Sequence, residues 1–208
     1  MKVSREGVPE LRLTDAEIDC MEAVALERGD VEAFLLVGLG ARRSWRISSI
    51  VGYQKHVKYR TKKGKIVEKD YALPGLRRED VGDSTVAVHR KGGTVKWEYV
   101  PEPYMSRLKE LAGRTHFGER LIPWTEDHAN DVLVDLATAA GIAHPERIHT
   151  HRLRHYFGTH MSDQTNGNLP QVQDLMGHKD PRATRIYIAE LTPEREKELL
   201  DKSLIRSK

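Results

Sequence analysis

An α+β fold is predicted, a mostly helical catalytic-type domain with a small antiparallel sheet or hairpins. Three observations carry it: apolar residues at helical spacing near the N-terminus, period-two alternation across 84–100 around Gly92-Gly93, and a return to helical signals afterwards. The chain has 208 residues, long enough to bury a core, and it shows no repeat, low-complexity tract or convincing linker. One domain is the simplest expectation.

The first element opens on Thr14-Asp15-Ala16-Glu17, a capping box, and Ile18, Met21, Val24 and Leu26 follow until Arg28-Gly29-Asp30 stops the helix. A strongly apolar second helix is predicted over about 31–39. Val57, Tyr59, Ile66 and Val67 flank Lys63-Gly64 and predict a basic β-hairpin. A second hairpin covers 84–100, with Lys91 at its turn. Helices then follow over about 103–112, 127–140 with Gly141 as a stop, 151–163, 170–177, 181–189, and 193–204 opened by Thr192-Pro193.

Thirty-four Lys plus Arg against 31 Asp plus Glu leave a net charge of +3, a balance that neither demands nor forbids a nucleic-acid partner. The longest stretch without a polar side chain, 33–41, is far shorter than a membrane helix, and no apolar signal segment opens the chain. A soluble cytoplasmic protein with no membrane partner is expected. The single cysteine, Cys20, excludes an intrachain disulfide and a multi-cysteine zinc cluster. Charge is distributed unevenly: residues 1–30 hold four basic and eight acidic side chains, whereas 42–65 hold nine basic ones (Arg42, Arg43, Arg46, Lys55, Lys58, Arg60, Lys62, Lys63, Lys65) and no carboxylate.

The most informative segment is His151-Arg152-Leu153-Arg154-His155, followed by Leu175-Met176-Gly177-His178 and then Tyr187. On a helix, His151 and Arg154 share a face. An imidazole beside a guanidinium, with a second histidine and a tyrosine from nearby short helices, suits phosphate: arginine forks onto two oxygens and histidine donates to a third or moves a proton. His149, His151, His155 and His160 also invite a zinc reading, but the segment lacks the carboxylate of HExxH and the chain lacks cysteine partners, so no metal is expected.

These residues resemble the tyrosine recombinase (phage integrase) family, whose signature is a His-x-x-Arg helix, then Leu-Gly-His, then a tyrosine nine residues on. The matching residues are His151, Arg154, Met176-Gly177-His178 and Tyr187, and 187 − 178 = 9. Arg46-Ile47-Ser48-Ser49-Ile50 resembles the family's first arginine and its short helix, with Ser49 where glutamate is usual. Lys91-Gly92-Gly93 resembles its hairpin lysine, and Val100-Pro101 falls where that hairpin leaves the sheet. The resemblance covers roughly 13–200. Gly40-Ala41-Arg42 offers Arg42 as a competing first arginine, although Arg46 fits the surrounding pattern better. Residues 51–72 read as an insertion relative to the family, holding most of the basic run.

The resemblance implies cutting and rejoining of DNA through a 3′-phosphotyrosyl bond to Tyr187. Arg46 and Arg154 would hold the phosphate, Lys91 would be the general acid with Lys96 or Lys63 as competitors, His151 would move a proton and His178 would hydrogen-bond a non-bridging oxygen. No cofactor is implied. The implied partners are a double-stranded DNA recombination site and further copies of the chain, in a dimer or tetramer joined through a C-terminal tail helix in 191–208 that could equally pack in cis. Residues 1–208 would be one catalytic domain without the family's N-terminal core-binding domain. Arg42, Arg43, Lys55, Lys58, Arg60, Lys62, Lys63, Arg90 and Arg152 are the candidate DNA contacts. The alternatives are a type IB topoisomerase-like strand transferase and a catalytically silent DNA-binding module of the same fold.

Overall fold

A computed structural model of the protein describes residues 12–62, 64–90, 92–178 and 180–185. It confirms the α+β class and divides the chain into two compact units, Met1–Phe157 and Gly158–Lys208. Lys63, Lys91, Tyr187 and the anticipated helices beyond residue 185 lie outside the described residues.

In the first unit, α1 (Asp15–Glu27) begins where the capping box predicts: the Glu17 amide donates to Thr14 Oγ1 at 3.2 Å, and the Thr14 amide donates back to Glu17 Oε2 at 2.7 Å. Ile18, Met21 and Ala25 form its buried stripe, while Leu26 faces solvent. Helix α2 (Val31–Arg43) is capped by Asp30, whose Oδ1 accepts from the Ala33 amide at 2.8 Å. It is buried on every side from Ala33 to Ala41, as an all-round apolar helix must be. It runs past the expected end at Leu39 and closes at Ser44, in the left-handed conformation at φ +58°. Gly40 makes room for a later helix, because a Cβ there would lie 2.7 Å from the Leu153 side chain.

Helix α3 (Ile47–Ile50) follows directly. The basic segment then forms the expected hairpin, β1 (Tyr53–Arg60) antiparallel to β2 (Ile66–Leu73), with Tyr53 opposite Leu73 and Arg60 opposite Ile66. Its two ends meet. Gly52 and Gly75 both have φ +76°, a Cβ on Gly52 would lie 2.8 Å from the Gly75 nitrogen, and the Leu76 amide donates to Ile50 O at 2.9 Å. The second hairpin, β3 (Thr85–Arg90) with β4 (Thr94–Tyr99), forms a separate two-stranded sheet.

Helices α4 (Tyr104–Arg114) and α5 (Glu126–Ala139) complete the wall around α2, with Gly141 at φ +69° ending α5 as its position predicts. Phe34, Leu35, Leu36, Leu39, Ile50, Leu76, Met105, Leu108, Leu111 and Ile122 are fully buried at the centre, each such side chain stabilising the fold by roughly 1.5–3 kcal/mol on the transfer scale. Helix α6 (Thr150–Gln164) packs Leu153 and Tyr156 into this core and carries the chain into the second unit. There α7 (Leu169–Met176) is capped by Asn168 and ended by left-handed Gly177, and α8 (Arg182–Arg185) follows. Among the described residues no helix is long and apolar enough to cross a membrane.

Candidate phosphate-handling site

Arg154, on the inward side of α6, is only 5% exposed, and its Nη1 donates to the carbonyl oxygen of Ser44. Ser44 is the left-handed residue that ends α2, and Arg46, two residues on, is the extended residue that opens α3. A guanidinium on α6 thus braces the turn that presents the first arginine. His151, one turn earlier on α6, is exposed. Partial desolvation of its ring, then Arg154, Arg46 and Arg152, lower its pKa from the ordinary 6.5, so its neutral, proton-accepting form is favoured. The His149 and His151 rings lie parallel with centroids 6.4 Å apart, and His149 is shifted the same way by burial and then by Arg152 and His151. Arg46, His151, Arg152 and Arg154 therefore form one electropositive group in the first unit.

The sequence reading missed a carboxylate next to this group. Along β4 the apparent alternation is inverted: Val95, Trp97 and Tyr99 are exposed, whereas Glu98 is 5% exposed. Glu98 Oε2 accepts from Trp45 Nε1 at 3.0 Å and Arg43 Nη2 at 3.3 Å; Oε1 accepts from Arg90 Nε at 3.1 Å and also from Arg90 Nη2. Four charge-assisted or indole donors compensate its burial. A second tie joins the same parts: Ser49 Oγ donates to His89 O at 2.8 Å, and the His89 ring meets Asp80 Oδ1 at 2.9 Å. Ser49, in place of the usual glutamate, thus anchors α3 to β3. The alternation of the sequence sets Val95, Trp97 and Tyr99 inward and Glu98 outward, so it gives no signal for this carboxylate.

Several candidate DNA contacts are placed differently from the expectation of outward-facing cations. Arg42 donates to Asp19 Oδ1 at 2.6 Å, Asp15 Oδ1 at 3.3 Å and Tyr156 Oη at 2.7 Å, and Tyr156 in turn donates to Asp15. Arg43 and Arg90 sit on Glu98 with side chains 16% and 20% exposed. These three arginines tie elements together across the fold, because their carboxylate partners lie on α1 and β4. The basic run is also not free of carboxylate in space: β2 sets Glu68 opposite Lys58 and Asp70 opposite His56, with Lys58 Nζ 2.6 Å from Glu68 Oε1. Lys55, Arg60 and Lys62 are exposed.

In the second unit, the His178 amide donates to Gln173 O at 3.0 Å, and Gln173 Nε2 donates to His178 O at 3.1 Å. Its Nδ1 lies 2.8 Å from the hydroxyl of fully buried Thr184, which orients the ring. The turn after α7 is therefore a fixed mount for the histidine.

The fold is that of recombinases. A crystal structure of XerA recombinase superposes with TM-score 0.64 at 17% identity, over 98% of this chain and 66% of that one. XerH site-specific recombinase, bound to its difH substrate in a pre-cleavage complex, gives TM-score 0.64 at 16% identity, over 95% of this chain and 55% of that one. Residues 104–194 match the phage integrase family model. The tyrosine recombinase XerC of Chromobacterium violaceum is 32% identical over 124 residues, 53% of this chain. These matches make the chain similar to the tyrosine recombinase (phage integrase) family. The match spans 39% of that relative's own length.

Proposed function

We propose that this chain is a site-specific tyrosine recombinase whose substrate is a double-stranded DNA recombination site in the cytoplasm of a prokaryotic cell. The observation that carries the reading is the brace from Arg154 to Ser44, which sets two guanidiniums and a neutral imidazole in one group. The family match supports it, since the matched segment contains His151, Arg154, His178 and Tyr187.

In this reading the Tyr187 oxygen attacks the scissile phosphorus in line. A bond from that oxygen to phosphorus forms, the bond to the 5′-oxygen breaks, and a 3′-phosphotyrosyl ester is left. His151 accepts the tyrosine proton, and Lys91 gives a proton to the departing 5′-oxygen. Arg46 and Arg154 neutralise the charge that builds on the non-bridging oxygens, and His178 donates to one of them. The retained ester energy permits rejoining without a nucleotide cofactor. Copies of the chain assemble on DNA, with the tail helix of 191–208 as the joining element.

The test uses a nicked duplex library with a randomised core, whose short 5′-hydroxyl fragment diffuses away after cleavage and traps the adduct. Wild-type protein should form an SDS-resistant protein–DNA complex on a subset of sequences, and Tyr187→Phe should form none. An adduct that persists in that variant, or no adduct with any library member, overturns the reading. Relaxation of supercoiled plasmid with no sequence preference would point to the topoisomerase-like alternative.

A further inference from the structure

We propose that Glu98 is a positioning residue for strand cleavage, setting from one buried point the residues that immediately precede the site's two flanking cations: Trp45 before Arg46 and Arg90 before Lys91. The proposal rests on the roles given above to Arg46 and Lys91. Its basis is the division of labour between the two carboxylate oxygens. Oε2 faces Trp45 Nε1 and Arg43 Nη2, both from the segment that leads into α3, and Oε1 faces the Nε and Nη2 of Arg90 at the end of β3.

Trp45 is 4% exposed and Glu98 5%, so water does not substitute for a lost partner at this point. Both oxygens must accept, and that is why a carboxylate is required. A glutamine of the same shape has one oxygen and one amide nitrogen, so it would turn N–H groups against either Arg90 or the Trp45–Arg43 pair. A purely apolar strand end would release both. Ser49 and His89 make a parallel tie between α3 and β3, but it reaches a backbone carbonyl and leaves the Arg90 side chain unconstrained. Glu98 holds side chains on both sides. Its loss therefore lets the first arginine and the hairpin lysine drift relative to each other, and misplacement of about an ångström slows a positioned reaction by about a hundredfold.

The test compares Glu98→Gln with wild type on a duplex recovered from the covalent selection, and on the same duplex with sulfur replacing the scissile 5′-oxygen. A thiol, with pKa about 8.5, leaves without a proton from Lys91. The expected result is adduct formation slowed about tenfold or more on the oxygen substrate, DNA affinity within about twofold, and a clearly smaller deficit on the sulfur substrate. Equal deficits on both substrates, or wild-type rates on both, overturn the proposal. Trp45→Phe, which removes the indole donor and leaves Glu98 in place, makes the same comparison should Glu98→Gln unfold. One readout needs no DNA: the Trp45 indole N–H should be protected from hydrogen exchange in wild type and should lose protection in Glu98→Gln. Unchanged protection overturns the clamp even if the selection yields no adduct and the recombinase reading itself fails.

Discussion

Arg154 of α6 donates to the carbonyl oxygen of Ser44, more than a hundred residues earlier in the chain. A side chain proposed to hold phosphate is thereby also the brace of the turn before Arg46. One face of the guanidinium is committed to the protein, and the planar fork leaves other N–H groups at fixed angles to it.

Arg154→Lys should therefore fail twice, because an ammonium cannot hold the Ser44 carbonyl and fork onto a phosphate together. Adduct formation should fall about a hundredfold or more, and urea unfolding should show a loss of about 1–3 kcal/mol from the unsatisfied buried carbonyl. Wild-type cleavage by the lysine variant would show that positive charge alone suffices.

The depressed pKa of His151, caused first by desolvation and then by Arg154, Arg46 and Arg152, fixes the sign of a pH effect. The neutral ring persists below the ordinary histidine value of 6.5, so the acid limb of the cleavage rate should lie below pH 6.5. The same shift makes His151's contribution to stability full above that value and lost as pH falls through the folded pKa. Single-turnover adduct rates across about pH 5–8 check this. The limb should vanish in His151→Ala; a limb above 6.5 contradicts the assignment.

Arg42 joins α1, α2 and α6 through Asp15, Asp19 and Tyr156. Arg42→Met should destabilise the fold by about 1–3 kcal/mol while leaving the salt dependence of DNA binding unchanged. Parallel urea titration and fluorescence anisotropy separate the two effects. A flattened salt slope in this variant would return Arg42 to the DNA contacts.

On the β1–β2 hairpin, cations differ by their cross-strand partners. All four are exposed, but Lys58 is paired with Glu68, whereas Lys55, Arg60 and Lys62 have no ion pair among the described residues. Neutralising those three together should weaken DNA binding and reduce the slope of log affinity against log salt by about 0.9 per lost phosphate contact. Lys58→Ala should change it less. Equal slopes for the triple variant and wild type would remove the hairpin from the interface.

What was legible beforehand was local. The Thr14–Glu17 box, the Gly141 stop and both hairpin turns are set by residues within a few positions of one another, so periodicity and turn chemistry reveal them. His151 and Arg154 are legible for the same reason, being one turn apart on α6. The partners of Arg42, Arg43 and Arg90 were not, because Asp19 and Glu98 reach them only through tertiary packing. The surplus of positive charge in 42–65 therefore overstated the charge offered to solvent. Glu98 was illegible for a further reason: Val95, Trp97 and Tyr99 occupy the alternate positions that a half-buried strand ordinarily turns inward, and here they face out.

The meeting of Gly52 with Gly75 gives the basic hairpin a particular status. The chain leaves the first unit and returns to it at nearly one point, where the Leu76 amide already bonds to Ile50. The body's topology is consequently the same whether the twenty-odd residues between those glycines are present, lengthened or replaced. The arm is a graft on a closed junction, and its sequence and length can change without altering the fold behind it.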